Sequence, residues 1–179
     1  FFKKQKIKKK KIICFLPGSR EIEIKKNLNL MKKSIDYITS KYTNYNFYIL
    51  TFDYFEKTIK KIIKNKNIEI ISDYKLKQKK MGESSYAIAA SGSVTLELCK
   101  YQTPMIVVYD TNFITQIILK LLVKVNYCTL INIFFNKEII PELIFQKFTY
   151  KNLISHFEFL MKTEKYKKMQ KKYMIEFSK

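Results

Sequence analysis

Two short turns hold the residue types best suited to chemistry. They are Pro17-Gly18-Ser19-Arg20 and Ala90-Ser91-Gly92-Ser93-Val94-Thr95-Leu96-Glu97. In the first, Gly18 lets the backbone approach a ligand closely, and Ser19 is placed to cap a following helix. A helix start offers free N–H groups and the positive end of the helix dipole. Arg20 adds a planar fork that matches two phosphate oxygens. It is the single arginine among 35 basic residues, so composition weighs against an indifferent position. The plainer alternative is a capped turn whose arginine faces Glu23 or solvent. The second turn offers N–H groups and the hydroxyls of Ser91, Ser93 and Thr95, with Gly92 at the bend. Glu97 lies about one turn into the next helix. A carboxylate there suits the two hydroxyls of a ribose, or simply complements the helix dipole. Neither turn has the P-loop or the G-x-G-x-x-G pattern, which argues against an ATPase or a dehydrogenase. Two anion-suited turns on one sheet imply a nucleotide diphosphate as ligand.

The elements that must position these turns alternate along the chain. Strands are predicted at 12–16 (IICFL), 46–51, 68–72, 86–91 and 104–109, with 127–135 strand or extended. Helices are predicted at 21–41, 52–66, 74–84, 94–102 and 112–125. Ile24, Leu28, Met31, Ile35 and Ile38 form the inward face of the first, and Phe55, Ile59, Ile62 and Ile63 that of the second. Helical segments are expected after Pro141. The alternation predicts βαβ units and an α/β fold. The strands are continuous apolar runs, as when both faces of a parallel sheet are covered. Right-handed crossovers then give a Rossmann-like parallel sheet flanked by helices, with ligands outside the carboxyl ends of the strands. The expected organisation is a basic linker or helix end at 1–11, the Rossmann-like domain at 12–160 and a basic C-terminal helix at 161–179.

Composition narrows the function further. The chain has 179 residues, room for one domain with its own core. It opens on Phe1, which predicts a piece of a longer protein. Heavy use of Lys, Asn, Ile, Phe and Tyr fits an AT-rich coding sequence, so much of the lysine is solvated surface. The net charge of +20 still favours anionic partners. No zinc-finger spacing, RNP-like motif or zipper points to a specific nucleic acid. Cys14, Cys99 and Cys128 are widely separated and form no C-x-x-C pair, so buried free thiols are expected rather than a metal or redox site. His156 is the one histidine, by default a half-buried helix residue, and neither a metal nor a cofactor is expected. No run reaches the roughly 18 apolar residues of a membrane span. IICFL after a lysine run mimics a signal peptide, but it is too short and Pro17-Gly18 breaks it.

Several segments together carry a family resemblance: FLPGSR, ASGSVTLEL with PMIVVY, LLVKVNYCTLIN, and IIPEL, in this order and spacing. Over residues 12–160 the chain resembles the C-terminal half of the lipid-A-disaccharide synthases, bacterial inverting glycosyltransferases of the GT-B architecture. That family transfers 2,3-diacylglucosamine from UDP-2,3-diacylglucosamine to lipid X (2,3-diacylglucosamine 1-phosphate). The products are lipid A disaccharide 1-phosphate and UDP. The resemblance implies a domain that holds the UDP-sugar donor, while the absent N-terminal half supplies most of the acceptor site and the candidate catalytic base. Ser19 and Arg20 would face the diphosphate. Ser91, Gly92, Ser93 and Thr95 would form the second phosphate-facing turn, with Glu97 near the ribose. Asn132 would be a polar residue near the cleft, and Glu142 belongs to the Pro-Glu-Leu motif that follows.

The resemblance also implies a cytoplasmic protein held at the inner face of the inner membrane. The apolar helix 112–125 and its flanking lysines could contribute to that surface. Alternatively Ile114, Ile117, Ile118, Leu121 and Leu122 pack on the sheet. The chain departs from the family pattern at Ile131, where proline is usual before the asparagine, at Phe145, where glutamine is usual, and at Ser85, where aspartate is common. Two other functions compete. One is another GT-B UDP-GlcNAc transferase or an epimerase relative. The other is a non-catalytic basic fragment that binds nucleic acid or membrane.

Overall fold

In the computed structural model, residues 8–110 and 127–178 are described. Six parallel strands form one sheet in the order β3-β2-β1-β4-β5-β6. They are β1 (Ile12–Leu16), β2 (Asn46–Leu50), β3 (Ile68–Ile71), β4 (Tyr86–Ala90), β5 (Met105–Tyr109) and β6 (Glu142–Ile144). The helices are α1 (Glu21–Lys41), α2 (Glu56–Ile62), α3 (Tyr74–Glu83), α4 (Val94–Lys100), α5 (Leu130–Phe135), α6 (Tyr150–Lys162) and α7 (Glu164–Phe177). The predicted α/β sheet is therefore present, in the doubly wound strand order.

The continuous apolar strands serve two cores. Along β1, Ile13 and Phe15 point to one face and Ile12, Cys14 and Leu16 to the other, because strand side chains alternate. All five are buried. The first core is completed by Ile24, Leu28, Met31, Ile35 and Ile38 of α1, Ile59 of α2, and Leu153, Phe157 and Leu160 of α6. The second takes Met81 of α3, Leu98 and Cys99 of α4, Ile131 of α5 and Met174 of α7. The α1 face follows its 4-3-4-3 spacing, and Glu21 and Glu23 in its first turn complement the dipole. The basic helix α7 is fastened to the sheet by Gln170, whose side chain is fully buried. Its Oε1 accepts from the Met105 N–H at 2.9 Å and its Nε2 donates to the Met105 carbonyl at 3.2 Å.

Three predicted boundaries change. The segment 52–66 is a 3₁₀ turn (Asp53–Phe55) followed by α2, which ends at Ile62. The run at 127–135 is not a strand: residues Leu130–Phe135 are helical. The sixth strand is instead Glu142–Ile144, in the region expected to be helical, and it pairs with β5 at Val107↔Glu142. The predicted helix 112–125, with its membrane or packing role, lies outside the described residues. Among the described residues no helix is long and apolar enough to cross a membrane.

Asp73 starts α3 by accepting the Leu76 N–H at 2.7 Å. Asp73→Ala should lower stability by about 1 kcal/mol in urea denaturation, the usual worth of an N-cap. A change within about 0.3 kcal/mol would show that packing alone holds the start of α3, since even the weaker caps contribute about 0.5 kcal/mol.

Candidate functional site

The chain reverses direction of winding between β1 and β4. After β1 it enters α1 on the first core's face, and after β4 it enters α4 on the second core's face. The two turns leave adjacent strand ends in opposite directions, which opens a crevice between them. A cleft lies there, lined by Gly18 and Ser19 of one turn and by Ser91, Gly92, Ser93 and Glu97 of the other. Leu16, Leu50, Met81 and Val94 form its apolar wall, and Thr51, Phe52 and Lys77 complete it.

The first turn is held from below. Asn27 donates from Nδ2 to the Pro17 carbonyl at 2.8 Å. Gly18 has φ +132°, and a Cβ there would meet Glu23 Cβ and Oε2 at 3.2 Å. Ser19 does not cap α1. Arg20 occupies the N-cap position in an extended conformation, and no side chain caps the helix, so its first N–H groups stay available. The Arg20 guanidinium donates to Glu23 Oε1 at 3.1 Å, the alternative partner that spacing had suggested. It is 79 % exposed and does not line the cleft. A pair this exposed is worth about 0–1 kcal/mol, so an anion of higher charge can displace it.

In the second turn Gly92 has φ +145° with open space around it. Ser91 donates its N–H to the Val108 carbonyl at 3.0 Å, which fixes the turn to β5. The Thr95 hydroxyl is turned inward, donating to the Gly92 carbonyl at 2.8 Å, so Thr95 shapes the turn from inside. Ser93 is exposed at the rim. Glu97 accepts from Gln78 Nε2, and Gln78 Oε1 accepts from the Tyr101 hydroxyl at 2.8 Å.

Asn132 and Glu142 form a separate, closed network. The Glu142 carboxylate is 6 % exposed and accepts four hydrogen bonds: from Cys128 N (2.7 Å), Thr129 N (2.9 Å), Thr129 Oγ1 (2.6 Å) and Asn132 Nδ2 (2.8 Å). Asn132 is fully buried. Its Oδ1 accepts from the Ile139 and Ile140 N–H groups, and its Nδ2 also donates to the Ile140 carbonyl. Neither residue lines the cleft. The link to it is Cys128, whose N–H donates to Glu142 Oε2 at 2.7 Å and whose thiol lies within electrostatic reach of Ser91 and Glu142. Burial, reinforced by the Glu142 charge, pushes that thiol up to about 12. Cys14 and Cys99 are buried free thiols, and Cys128 is free and half-buried.

Sequence patterns missed Thr51, Lys77 and Cys128. Thr51 is the polar residue at the carboxyl end of β2, a position the parallel-sheet rule could have flagged. Lys77 stands in a lysine-rich run, where spacing cannot separate it from its neighbours. Its stem is buried and its ammonium sits 3.9 Å from the Phe52 ring centroid. Burial lowers its pKa, and Glu97 opposes the shift.

Known proteins resemble this chain in sequence and fold. The lipid-A-disaccharide synthetase family model matches residues 1–179. A lipid-A-disaccharide synthase of Rickettsia bellii is 37 % identical over 136 residues, 75 % of this chain and 35 % of that protein. One of Persephonella marina is 34 % identical over 142 residues, covering 76 % of this chain and 38 % of its own length. The chain thus spans about a third of the length of the curated relatives it matches. The solved UDP-GlcNAc 2-epimerase from Neisseria meningitidis, bound to UDP-GlcNAc, superposes with a TM-score of 0.61 at 17 % identity, over 91 % of this chain and 39 % of its own. The E. coli ADP-heptose heptosyltransferase II does so at 0.53 and 10 % identity, over 84 % and 46 %. These two likenesses show the fold, one Rossmann-like half of the GT-B architecture. With a family model matched from end to end and the two glycine turns in place on that fold, the chain belongs to the lipid-A-disaccharide synthase family.

Proposed function

We propose that this chain holds the UDP-sugar donor of a lipid-A-disaccharide synthase, for transfer of 2,3-diacylglucosamine from UDP-2,3-diacylglucosamine to lipid X. The observation that carries this is the cleft at the reversal point between β1 and β4, with a glycine turn on each side. The diphosphate lies between the two turns, against the N–H groups at the start of α1 and around Gly92. Arg20 leaves Glu23 to grip it, and Glu97 takes the ribose hydroxyls. Breaking the glycosyl–phosphate bond places negative charge on the departing UDP. Donors already fixed in the turns stabilise that charge more in the transition state than in the ground state. Asn132 and Glu142 act behind the turn by holding the Cys128–Thr129 backbone that backs Ser91. Acceptor binding and the catalytic base belong to the part of the relatives that this chain does not match. Lipid substrates place the enzyme at the cytoplasmic face of the inner membrane, where exposed lysines meet anionic lipid.

Titration calorimetry with UDP tests this. Arg20→Ala should weaken binding about tenfold or more, the worth of a charge-assisted hydrogen bond. It should leave stability nearly unchanged, because the side chain is exposed. Glu97→Ala should also weaken UDP binding. If the intact chain binds no UDP but binds RNA tightly and with strong salt dependence, the donor-domain proposal fails in favour of a basic nucleic-acid-binding fragment.

A further inference from the structure

We propose that Lys77 and Thr51 read the nucleobase and select uracil over cytosine. This rests on the nucleotide-sugar function above and adds the residues that set base specificity.

The starting point is a pair of unpartnered polar groups at one end of the cleft. Thr51 is 1 % exposed, and its hydroxyl meets no hydrogen-bond partner. Its backbone is fixed by the bond from its N–H to the Ile71 carbonyl at 2.9 Å, so the residue is held in place with its hydroxyl unused. Lys77 is 8 % exposed, and its ammonium donates no hydrogen bond to any described residue. Phe52 holds it by a cation–π contact at 3.9 Å, and Phe52 is itself stacked on Tyr54 at 5.6 Å with an interplanar angle of 13°. A ring face attracts the charge without taking the N–H groups in directed bonds. Both residues line the cleft. A buried hydroxyl without a partner is costly, so a ligand that pairs with Thr51 gains there, and the Lys77 ammonium, which is not sealed from solvent, offers that ligand a directed donor in a mostly apolar setting.

The order of groups along the cleft identifies the part of the ligand that reaches them. The glycine turns take the diphosphate and Glu97 the ribose, and Glu97 acts electrostatically on Lys77. The next unit of a nucleoside diphosphate is the base. Leu16, Leu50 and Met81 line the cleft beside Thr51 and Lys77, and such a wall suits a flat ring and penalises another charged group. A lysine ammonium is a donor only. It pairs with the 4-carbonyl of uracil and opposes the 4-amino group of cytosine, donor against donor. A site that hydrogen-bonds a ligand group discriminates strongly against analogues that cannot complete the bond.

The test is calorimetry of the full chain with UDP, CDP and ribose 5-diphosphate, which lacks a base. The intact chain should bind UDP at least about tenfold more tightly than CDP. Lys77→Met keeps the packed stem and removes the donors. It should bring UDP affinity down to that of CDP, with CDP bound no less tightly than before and ribose 5-diphosphate changed by no more than about twofold. Thr51→Val, nearly isosteric, should weaken UDP without affecting ribose 5-diphosphate, and it carries the test if Lys77→Met fails to fold. The proposal is overturned if Lys77→Met weakens all three ligands equally, or leaves the UDP preference intact. If the intact chain binds none of the three, the donor-domain function fails as well, and base selection with it.

Discussion

Glu142→Ala should lower stability by about 3–5 kcal/mol, the cost of breaking a buried charged network by removing one partner. Four donors converge on this one carboxylate, at 2.6–2.9 Å. Two are backbone N–H groups, at Cys128 and Thr129, and alanine would leave them buried without acceptors. The same carboxylate ties the start of α5 to β6, because Glu142 is also the residue paired with Val107 in the sheet. Glu142→Gln keeps an acceptor oxygen but turns an amide N–H₂ toward groups that are themselves donors. It should lose less, about 1–3 kcal/mol. Urea midpoints at unchanged slope measure both. An alanine variant as stable as the unsubstituted chain would show that apolar packing, chiefly Ile131, Ile139 and Ile140, holds this region instead. Since Glu142 fixes the Cys128 backbone beside Ser91, the alanine variant should also bind UDP less tightly wherever it remains folded.

Most of the fold was legible because its signals are local. β1 and α1 fall at 12–16 and 21–41 as predicted, since one is a five-residue apolar run and the other a long helix with an unbroken inward face. The sixth strand was not legible. LINIFF is a short apolar run that fits strand or helix equally by periodicity. Its helical form depends on Thr129 and Asn132 reaching Glu142, a residue that lies ten or more positions away. The true sixth strand, Glu142–Ile144, has three residues, too few to show a pattern, and it exists because β5 offers it an edge.

The site divides in the same way. Ser19, Ser91, Gly92 and Ser93 converge on the cleft because each sits at a strand end or on the turn beyond it, and Glu97 joins them from the first turn of α4, as the parallel-sheet rule anticipates. Arg20 stands beside the cleft on Glu23, Thr95 faces into its own turn, and Asn132 and Glu142 lie in the network behind. Side-chain direction set these outcomes, and residue type does not encode it. Lys77 was hidden for the opposite reason: burial distinguishes it from the lysines around it, and composition had made lysine uninformative.

Gly18→Ala should raise the dissociation constant for UDP by about 10- to 100-fold, from about 1–3 kcal/mol of backbone strain added at the turn. At φ +132° any L side chain is disfavoured, and the new Cβ would also press on Glu23 at 3.2 Å. Either the turn relaxes, moving the Ser19 N–H away from the ligand, or Glu23 shifts and releases Arg20. Gly92→Ala makes the comparison informative. Its φ of +145° is as demanding, yet nothing lies within 4 Å of the added Cβ. Gly92→Ala therefore measures backbone conformation alone, and Gly18→Ala measures conformation plus crowding. Affinity and stability should both fall further for Gly18→Ala. Equal losses would mean that Glu23 yields freely and that the two turns contribute to the diphosphate site only through their backbone. Unchanged UDP affinity in both variants would remove the turns from the site altogether, and the proposed donor function with them, since among the described elements the winding reverses only between β1 and β4.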